Sequence, residues 1–314
     1  MSIVFFGTTD TGWHCLNEMI RAQLPVRGIV TGLQEFDISY AKERVRNLRH
    51  RSFNNFADEY GIPVLTFTRK FEEEITRTIA SWQPQLFVVI GWYHLIPARV
   101  RALAPLGTVG VHWSLLPKYR GGSPLVWAII NGENETGASL FYLEDKVDVG
   151  AIVAQTRVSI GQDDEVGTMI ERLNIASGAL VTAHVPRLLQ GTAQRWPQDE
   201  SQATFFPPRA PEDGCINWAW PARRIYNFIR AQTIPYPCAF TFYQQHKVKI
   251  VQATLQPRAG EHVFVRASDG AWLGINTVWL EDESAACRAL DFFSNAAMDC
   301  AQFANMPAEL NAKA

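Results

Sequence analysis

The run Leu86–Ile90 (LFVVI) is the feature that most restricts the fold of this chain. Five consecutive apolar residues predict a strand buried on both faces, the kind found in the middle of a parallel sheet. Similar short runs occur at Ser2–Phe6, Val26–Val30, Pro63–Phe67 and Thr108–His112, with helix-like segments between them. Strands that alternate with helices predict an α/β fold built on a doubly wound, Rossmann-like parallel sheet.

The last third of the chain has a different pattern. A polar, Pro-rich stretch at Trp196–Gly214 is typical of a linker or a domain boundary. It is followed by a predicted amphipathic helix at Ala222–Ala231 and then by alternating, strand-like pieces. We therefore expect two domains, residues 1–200 with the parallel sheet and residues 201–314 as a smaller, β-rich and OB-like domain.

Composition and charge exclude several classes of protein. Of the 314 residues, 47% are hydrophobic and 19% charged, which is the balance of a globular domain. The formal net charge of −2 gives no overall attraction to nucleic acid. Five cysteines, an odd number without a CxxC pair, indicate reduced thiols rather than disulfides or a zinc site. With no signal peptide and no apolar run long enough to span a membrane, we expect a cytoplasmic protein.

Two loops of the predicted sheet are expected to meet at one cleft. In such sheets ligands bind beyond the carboxyl ends of the strands, and Gly91–Tyr93 and Trp113–Ser114 each follow a strand. The loop GTTDTG at Gly7–Gly12 matches neither GxGxxG nor a Walker motif. An ordinary strand-to-helix turn, capped by Thr9 or Asp10, is the better interpretation. The missing glycine fingerprint argues against a dinucleotide-dependent dehydrogenase.

The stretch Gly110–Pro124 (GVHWSLLPKYRGGSP) carries the most chemistry. His112 ends a strand, and the cations Lys118 and Arg120 suit an anionic ligand, while the glycine pair allows close backbone approach. Asp148 lies between two further strand-like runs, where it is either a turn residue or a partner that orients the imidazole. No HExxH, nucleophile elbow or EF-hand loop is present, which disfavours metal and acyl-enzyme chemistry.

Several separated motifs resemble one known family. The pattern His112-x-Ser114-Leu-Leu-Pro117, followed by Asp148-x-Gly150, is similar to the formyltransferases that use 10-formyltetrahydrofolate. That family includes methionyl-tRNA formyltransferase and the N-formyltransferases of nucleotide-linked amino sugars. The segments IVFFGTTDTG, IGWYHLIP, PEDGCINW and IYNFIRAQTIPYPCAF also resemble it and occur in the same order. The resemblance covers roughly residues 1–255.

The resemblance implies roles for individual residues. His112 and Asp148 match the catalytic histidine and aspartate of the family, and no metal is involved. Lys118 and Arg120 would meet the diphosphate of a nucleotide-linked sugar, or Arg120 would instead lock the loop. The family also implies contacts to the folate at Ile90, Gly91, Trp92, Tyr93, Leu115 and Val147. A homodimer formed through the C-terminal region is a further expectation from the family.

One family residue is absent from the motif. The family has an asparagine two residues before the histidine, and here that position is Gly110. Glycine has no side chain to donate to the formyl oxygen. A water or a backbone N–H replaces the amide, or the enzyme performs a different one-carbon reaction, or the chain is weakly active or inactive. The intact remainder of the motif favours the first of these alternatives.

The acceptor of the formyl group is the remaining question. A tRNA acceptor requires a cationic surface, yet the net charge is slightly negative and the C-terminal half has no basic run. The segment Glu43–Arg51 (ERVRNLRHR) is a basic exception that also fits a solvated helix or loop. The segments Tyr119–Glu133 and Asn227–Pro237 resemble the sugar enzymes of the family more closely than the tRNA enzymes. We expect a nucleotide-linked amino sugar as acceptor, with methionyl-tRNA, or a folate-binding protein without turnover, as the alternatives.

Overall fold

In the computed structural model, the described residues are 1–37, 44–68, 70–244, 246–280, 283, 285–293, 297–299 and 303. They form two compact units. The N-terminal unit comprises Met1–Pro124, Thr136–Ser159 and Glu171–Phe206. The C-terminal unit comprises Leu125–Glu135, Ile160–Ile170 and the described residues from Pro207 onward.

The strands and helices follow one another along the chain with short connections. The strands are β1 Ile3–Phe6, β2 Val26–Gly32, β3 Glu35–Phe36, β4 Val45–Arg46, β5 Val64–Phe67, β6 Leu86–Val89, β7 Thr108–His112, β8 Arg120–Gly121, β9 Glu135–Tyr142, β10 Ile152–Ser159, β11 Phe205–Phe206, β12 Ala239–Tyr243, β13 His246–Thr254, β14 Val263–Arg266, β15 Trp272–Leu280, β16 Cys287–Arg288 and β17 Ala297–Asp299. The helices are α1 Asp10–Arg21, α2 Asn54–Tyr60, α3 Glu73–Ser81, α4 Ala98–Arg101, α5 Pro124–Ile130, α6 Val166–Leu189, α7 Ala222–Arg230 and α8 Ala289–Phe292, with 3-10 turns at Glu200–Gln202 and Pro211–Gly214.

A seven-stranded sheet forms the core of the N-terminal unit. Its strand order is β10-β9-β7-β6-β1-β2-β5. The pairs from β7 through β6, β1 and β2 to β5 are parallel, whereas β7 and β9 run antiparallel. The buried apolar side chains on one face belong to Val4, Phe6, Val30, Phe67, Phe71, Ile79, Phe87, Val89, Ile96, Val100 and Ala104. The predicted doubly wound α/β sheet is confirmed.

The turn after β1 shows how the sequence begins a helix. The Oγ1 of Thr9, in extended backbone before α1, accepts a hydrogen bond from the Gly12 N–H at 3.3 Å. Asp10 lies in the first turn, where a carboxylate favours the helix dipole. A Cβ at Gly12 would lie 2.5 Å from the carbonyl oxygen of Ile90, so the close approach of these loops requires glycine. The interpretation of GTTDTG as a capped turn is confirmed.

The C-terminal unit is β-rich, as predicted. Strands β12, β13, β15 and β14 pair antiparallel in that order, β17 adds a parallel strand beside β14, and β16 pairs with β15. Helix α7 packs against β13. Its buried positions include Ile225, Phe228 and Ile229, which give the short helix one apolar face.

Two features of the fold differ from the sequence-based expectation. Helix α5 was not predicted, and it follows directly after the glycine-rich loop. The first part of the stretch read as a linker, up to Phe206, belongs to the N-terminal unit, where β11 pairs in parallel with β8. Among the helices of the described residues, none combines the length and the apolar character needed to cross a membrane.

Candidate active site

His112 and Asp148 face each other at the carboxyl edge of the sheet. His112 is the last residue of β7, and Asp148 lies on the connection from β9 to β10. The imidazole Nδ1 is 3.6 Å from Asp148 Oδ2, and both side chains are largely buried. The Nε2 of His112 is 2.7 Å from the carbonyl oxygen of Tyr119. Because a carbonyl only accepts, Nε2 carries a hydrogen, and Nδ1 is the nitrogen that can take a proton.

The carboxylate of Asp148 has a second, neutral partner. Its Oδ2 accepts a hydrogen bond from the backbone N–H of Gly121 at 2.8 Å. Asp148 has a φ of +56°, the left-handed region that L residues other than Asn and Asp rarely adopt. The loop after β7 and the connection after β9 are therefore joined at the carboxylate itself.

The loop that follows His112 is held by its own side chains. The Oγ of Ser114 donates to the carbonyl oxygen of Lys118 at 2.6 Å. The carbonyl oxygen of Ser114 in turn accepts from Ser139 Oγ on β9, also at 2.6 Å. The Tyr119 ring stacks on Phe206, with ring centroids 4.7 Å apart. These bonds fix the carbonyl groups that the loop presents near His112.

Arg120 is fully buried and bonded to protein groups. Its Nε and Nη2 donate to Gln198 Oε1 at 3.0 and 2.8 Å, and Nη1 and Nη2 donate to the carboxylate of Glu200 at 2.9 and 2.6 Å. The hydrogen bond from Arg120 lowers the pKa of the Glu200 carboxyl. A guanidinium held in this way is not presented to a substrate diphosphate. Of the two roles that the sequence left open for Arg120, the geometry favours locking the loop.

Gly110 lies in the middle of the sheet with little space around it. It pairs with Val89 of β6 and with Phe141 of β9. A Cβ at this position would be 3.1 Å from the carbonyl oxygen of Val89 and 3.4 Å from a methyl group of Leu143. Leu143 thus packs where the side chain of the family asparagine would begin. A larger residue at 110 requires these neighbours to shift.

The segment after β6 contains four of the six residues that the resemblance assigns to the folate. Ile90 is buried, and its carbonyl oxygen faces the loop after β1. Gly91 has a φ of +63°, and a Cβ there would lie 1.8 Å from Thr9 Oγ1, so only glycine fits. Tyr93 is 40% exposed, with its hydroxyl 3.4 Å from Asn47 Oδ1.

Trp92 lies in an aromatic cluster. Its ring is 5.7 Å from that of Phe6, 5.4 Å from that of Phe67 and 5.6 Å from that of His94, all centroid to centroid. Burial lowers the pKa of His94 below its usual range. The indole Nε1 of Trp92 is buried without a hydrogen-bond partner among the described residues. The ring is thus part of the core, and its Nε1 is a buried donor.

The other predicted ligand contacts differ in exposure. Leu115 is half-buried and its side chain packs against Gly137 of β9, where a Cβ would lie 2.5 Å from it. Val147 is 50% exposed on the connection that carries Asp148. Lys118 is exposed on the loop after His112. The structure therefore places Leu115, Val147 and Lys118 on the two segments that also hold His112 and Asp148.

A cavity of about 670 Å³ opens beside this connection. Its size is within the usual range for small-molecule sites. The lining mixes apolar side chains with both charges and consists of Arg101, Leu143, Glu144, Asp145, Lys146, Val149 and Glu200. Within the part of the chain that the structure describes, no group of three or more His, Cys, Asp or Glu side chains is arranged to hold a metal ion.

Sequence reasoning missed three residues that lie much later in the chain and hold the loop after β7 in place. Gln198, Glu200 and Thr204 all contact the loop after β7, the last through its hydroxyl, which accepts from the Tyr119 N–H at 2.8 Å. They lie in the stretch that composition assigns to a linker. The polar run Gln-Asp-Glu-Ser in this stretch could have indicated such contacts, because polar residues also build buried hydrogen-bond networks.

Comparison with known proteins places the chain in a family. Residues 1–184 match the model for formyl transferases, and residues 209–305 match the model for the formyl transferase C-terminal domain. The chain belongs to the formyl transferase family. The resemblance inferred from the separated motifs is confirmed, and so is the inference that the protein is an enzyme.

Individual relatives of this formyl transferase differ in their acceptors. It is 36% identical over 253 residues to methionyl-tRNA formyltransferase of Staphylococcus aureus, covering 81% of this chain and 79% of the relative. An N-formyltransferase from Helicobacter canadensis, solved with folinic acid and dTDP-3-aminofucose, has a similar fold (TM-score 0.65, 18% identity, 87% and 98% coverage). So does methionyl-tRNA formyltransferase from Clostridium thermocellum (TM-score 0.55, 19% identity, 90% and 100% coverage).

Proposed function

We propose that this formyl transferase moves a formyl group from 10-formyltetrahydrofolate to the amine of a nucleotide-linked amino sugar. The observation that carries the chemistry is the pair formed by His112 Nδ1 and Asp148 Oδ2, 3.6 Å apart at the carboxyl edge of the sheet. A largely buried imidazole beside a carboxylate is an arrangement suited to accepting a proton during catalysis. We assign this chemistry to the N-terminal unit, which ends at Phe206 rather than at the predicted boundary at residue 200.

The proton that the amine loses on attack passes to His112 in this proposal. The folate, when bound, supplies a formyl carbon open to attack by a neutral amine. Nδ1 of His112 accepts the proton, and the cation that forms faces the carboxylate of Asp148. The oxyanion of the tetrahedral intermediate needs hydrogen-bond donors. Since Gly110 offers no amide side chain, we propose that a water or a backbone N–H fills that role. When the intermediate collapses, the bond between the formyl carbon and N10 would break, and the proton held by His112 would pass to N10 of the departing tetrahydrofolate.

The folate and the sugar are proposed to occupy the region around the two loops. The cavity of about 670 Å³ on the connection that carries Asp148 has a volume within the range of small-molecule sites, but its lining includes none of the six predicted folate residues. Lys118, exposed after His112, is the proposed contact to the diphosphate. Arg120 is proposed to position the loop rather than to touch either substrate.

Charge supports the sugar as acceptor. From residue 207 onward the chain has ten Lys and Arg residues and ten Asp and Glu residues, whereas RNA-binding domains usually carry a basic surface. In the basic segment, Arg49 bonds to Asp10 at 2.7 Å and Arg51 lies 3.7 Å from the ring centroid of Trp13. Both side chains therefore already contact other residues of the N-terminal unit.

A second candidate acceptor is methionyl-tRNA. The observation that favours it is the 36% identity to a methionyl-tRNA formyltransferase over 81% of this chain. Under this alternative the C-terminal domain would contact an RNA acceptor stem despite its balanced charge. The donor, the histidine and the aspartate would keep the same roles.

A panel of acceptors separates the two candidates. We would supply 10-formyltetrahydrofolate and measure transfer to dTDP-, UDP- and GDP-linked amino sugars and to methionyl-tRNA, each at about 0.05 M and about 0.3 M salt. The proposal predicts turnover of at least one sugar with a weak dependence on salt. Efficient turnover of the tRNA alone, falling steeply with salt, would establish the second candidate instead. Any transfer should disappear in His112→Gln.

A further inference from the structure

Gln198 contacts both loops of the proposed catalytic site from a third segment of the chain. It is buried, just before the 3-10 turn Glu200–Gln202. Its Oε1 accepts from Nε and Nη2 of Arg120, at 3.0 and 2.8 Å. Its Nε2 donates to the carbonyl oxygens of Asp148 and Gly150, both at 2.8 Å. A side-chain amide has two N–H donors and one oxygen with two lone pairs, so each of its hydrogen-bonding positions is used.

The bond to Asp148 acts where the backbone has an uncommon conformation. A left-handed φ is rare for residues other than glycine, although aspartate and asparagine adopt it more readily than most. Asp148 has this conformation, with a φ of +56°. Gln198 holds its carbonyl group, while the Gly121 N–H holds its carboxylate. The conformation that directs the carboxylate to His112 is thus restrained at both ends.

The same amide also fixes the position of Gly121. Arg120 precedes Gly121 directly, and its buried guanidinium is held by Gln198 and Glu200. We infer that Gln198 is a positioning residue for formyl transfer, which sets the distance and orientation of the Asp148 carboxylate relative to His112. This inference rests on the catalytic roles proposed for these two residues. Gln198 itself touches neither substrate.

The variant Gln198→Glu tests the inference with almost no change of shape. A carboxylate still accepts from Arg120, but it cannot donate to the carbonyl oxygens of Asp148 and Gly150 and faces them with negative charge. We expect kcat to fall about 10- to 100-fold, while KM for both substrates stays within about twofold. The control is Gln85→Glu, an exposed glutamine before β6, for which kcat should equal that of the native protein.

A double-mutant cycle shows whether Gln198 acts through the carboxylate. In an Asp148→Asn background the positioned charge is already gone, so Gln198→Glu should lower kcat by no more than about twofold further. Two results would overturn the inference: a native kcat for Gln198→Glu, or the same fold-loss in both backgrounds. If Gln198→Glu does not fold, Gln198→Met, which keeps the length and lacks donors, is put through the same cycle.

The single variants separate this inference from the proposed function. If His112→Gln and Asp148→Asn transfer formyl groups at the native rate, the proposed catalytic pair is wrong. If both lose activity and the folded Gln198 variants do not, the pair stands and the role of Gln198 is wrong.

Discussion

The carboxylate of Asp148 lies 3.6 Å from Nδ1 of His112 and accepts a hydrogen bond from the N–H of Gly121 at 2.8 Å. One oxygen, Oδ2, is involved in both relationships. The carboxylate is therefore fixed by the backbone of the loop that begins with the histidine. The arrangement allows the charge of Asp148 to be removed by substitution without changing the shape of the site.

Asp148→Asn should lower kcat by at least about 10²-fold, because the imidazolium formed at His112 loses its facing charge. Asparagine tolerates a left-handed φ as well as aspartate does, so the backbone should keep its conformation. The measurement is single-turnover formyl transfer beside Asp58→Asn, an exposed aspartate of α2 that serves as control. A native rate for Asp148→Asn would mean that the carboxylate has no part in the reaction.

Gly110→Ala should destabilise the protein by about 1–3 kcal/mol, as overpacking of a close-packed interior does. The added Cβ would lie 3.1 Å from the carbonyl oxygen of Val89, which belongs to a central strand and cannot move freely. Gly32→Ala is the matched control, because a Cβ there would meet neighbours only at 3.6 Å or beyond. Denaturant unfolding compares the two. Equal stability of both variants would show that the sheet accommodates the added methyl group at residue 110 without cost.

Arg120→Lys should cost about 1–3 kcal/mol of unfolding free energy, because lysine cannot supply the fork that Gln198 and Glu200 accept. Since the guanidinium is fully buried, we expect kcat to fall and KM for the acceptor to stay constant. Thermal unfolding and steady-state kinetics measure the two effects. A raised acceptor KM at native stability would assign Arg120 to the substrate after all.

Lys118→Ala should have the opposite effects to Arg120→Lys: the acceptor KM should change and the stability should not. The side chain is exposed, so stability should remain within about 0.5 kcal/mol of the native protein. Loss of a charge-assisted contact to the diphosphate should raise KM for the acceptor about 10-fold, with kcat preserved. Steady-state kinetics with a sugar substrate provide the measurement. An unchanged KM would remove Lys118 from the proposed acceptor site.

Stability should decrease as the pH falls through the range of histidine titration. Burial lowers the pKa of His94 and of His184 from 6.5, so the unfolded chain binds more protons than the folded one below that pH. The stabilisation is fully present above the unfolded pKa and is lost as the pH falls toward the folded value. His94→Phe should reduce the difference in Tm between about pH 7.5 and about pH 5.5. An unchanged difference would contradict the role of His94.

Much of the fold could be predicted from the sequence, because the buried strands of a parallel sheet are short runs of consecutive apolar residues. The apolar runs at Leu86–Val89 and Thr108–His112 are strands, and Thr9 caps α1 as its residue type predicts. Helix α5 was missed because Leu125–Ile130 is apolar all round and shows no helical periodicity.

The site could be predicted only in part, because some of its contacts join residues that are distant in sequence. His112 and Asp148 stand out through their motif, but the partners of Arg120 lie about 80 residues further along the chain in a stretch with the composition of a linker. Hydrogen bonds between polar side chains leave no periodic pattern in sequence. Burial of an arginine cannot be inferred from its neighbours in the chain, because charged residues are usually exposed.

The most direct test of the account is single-turnover formyl transfer by the native protein, with Gly110 in place, beside Gly110→Asn. The account predicts that the native protein transfers the formyl group from 10-formyltetrahydrofolate to an amino sugar, and that Gly110→Asn is no faster, since Val89 and Leu143 crowd the new side chain. Transfer by Gly110→Asn alone, with the native protein silent, would contradict it and identify Gly110 as a disabling substitution.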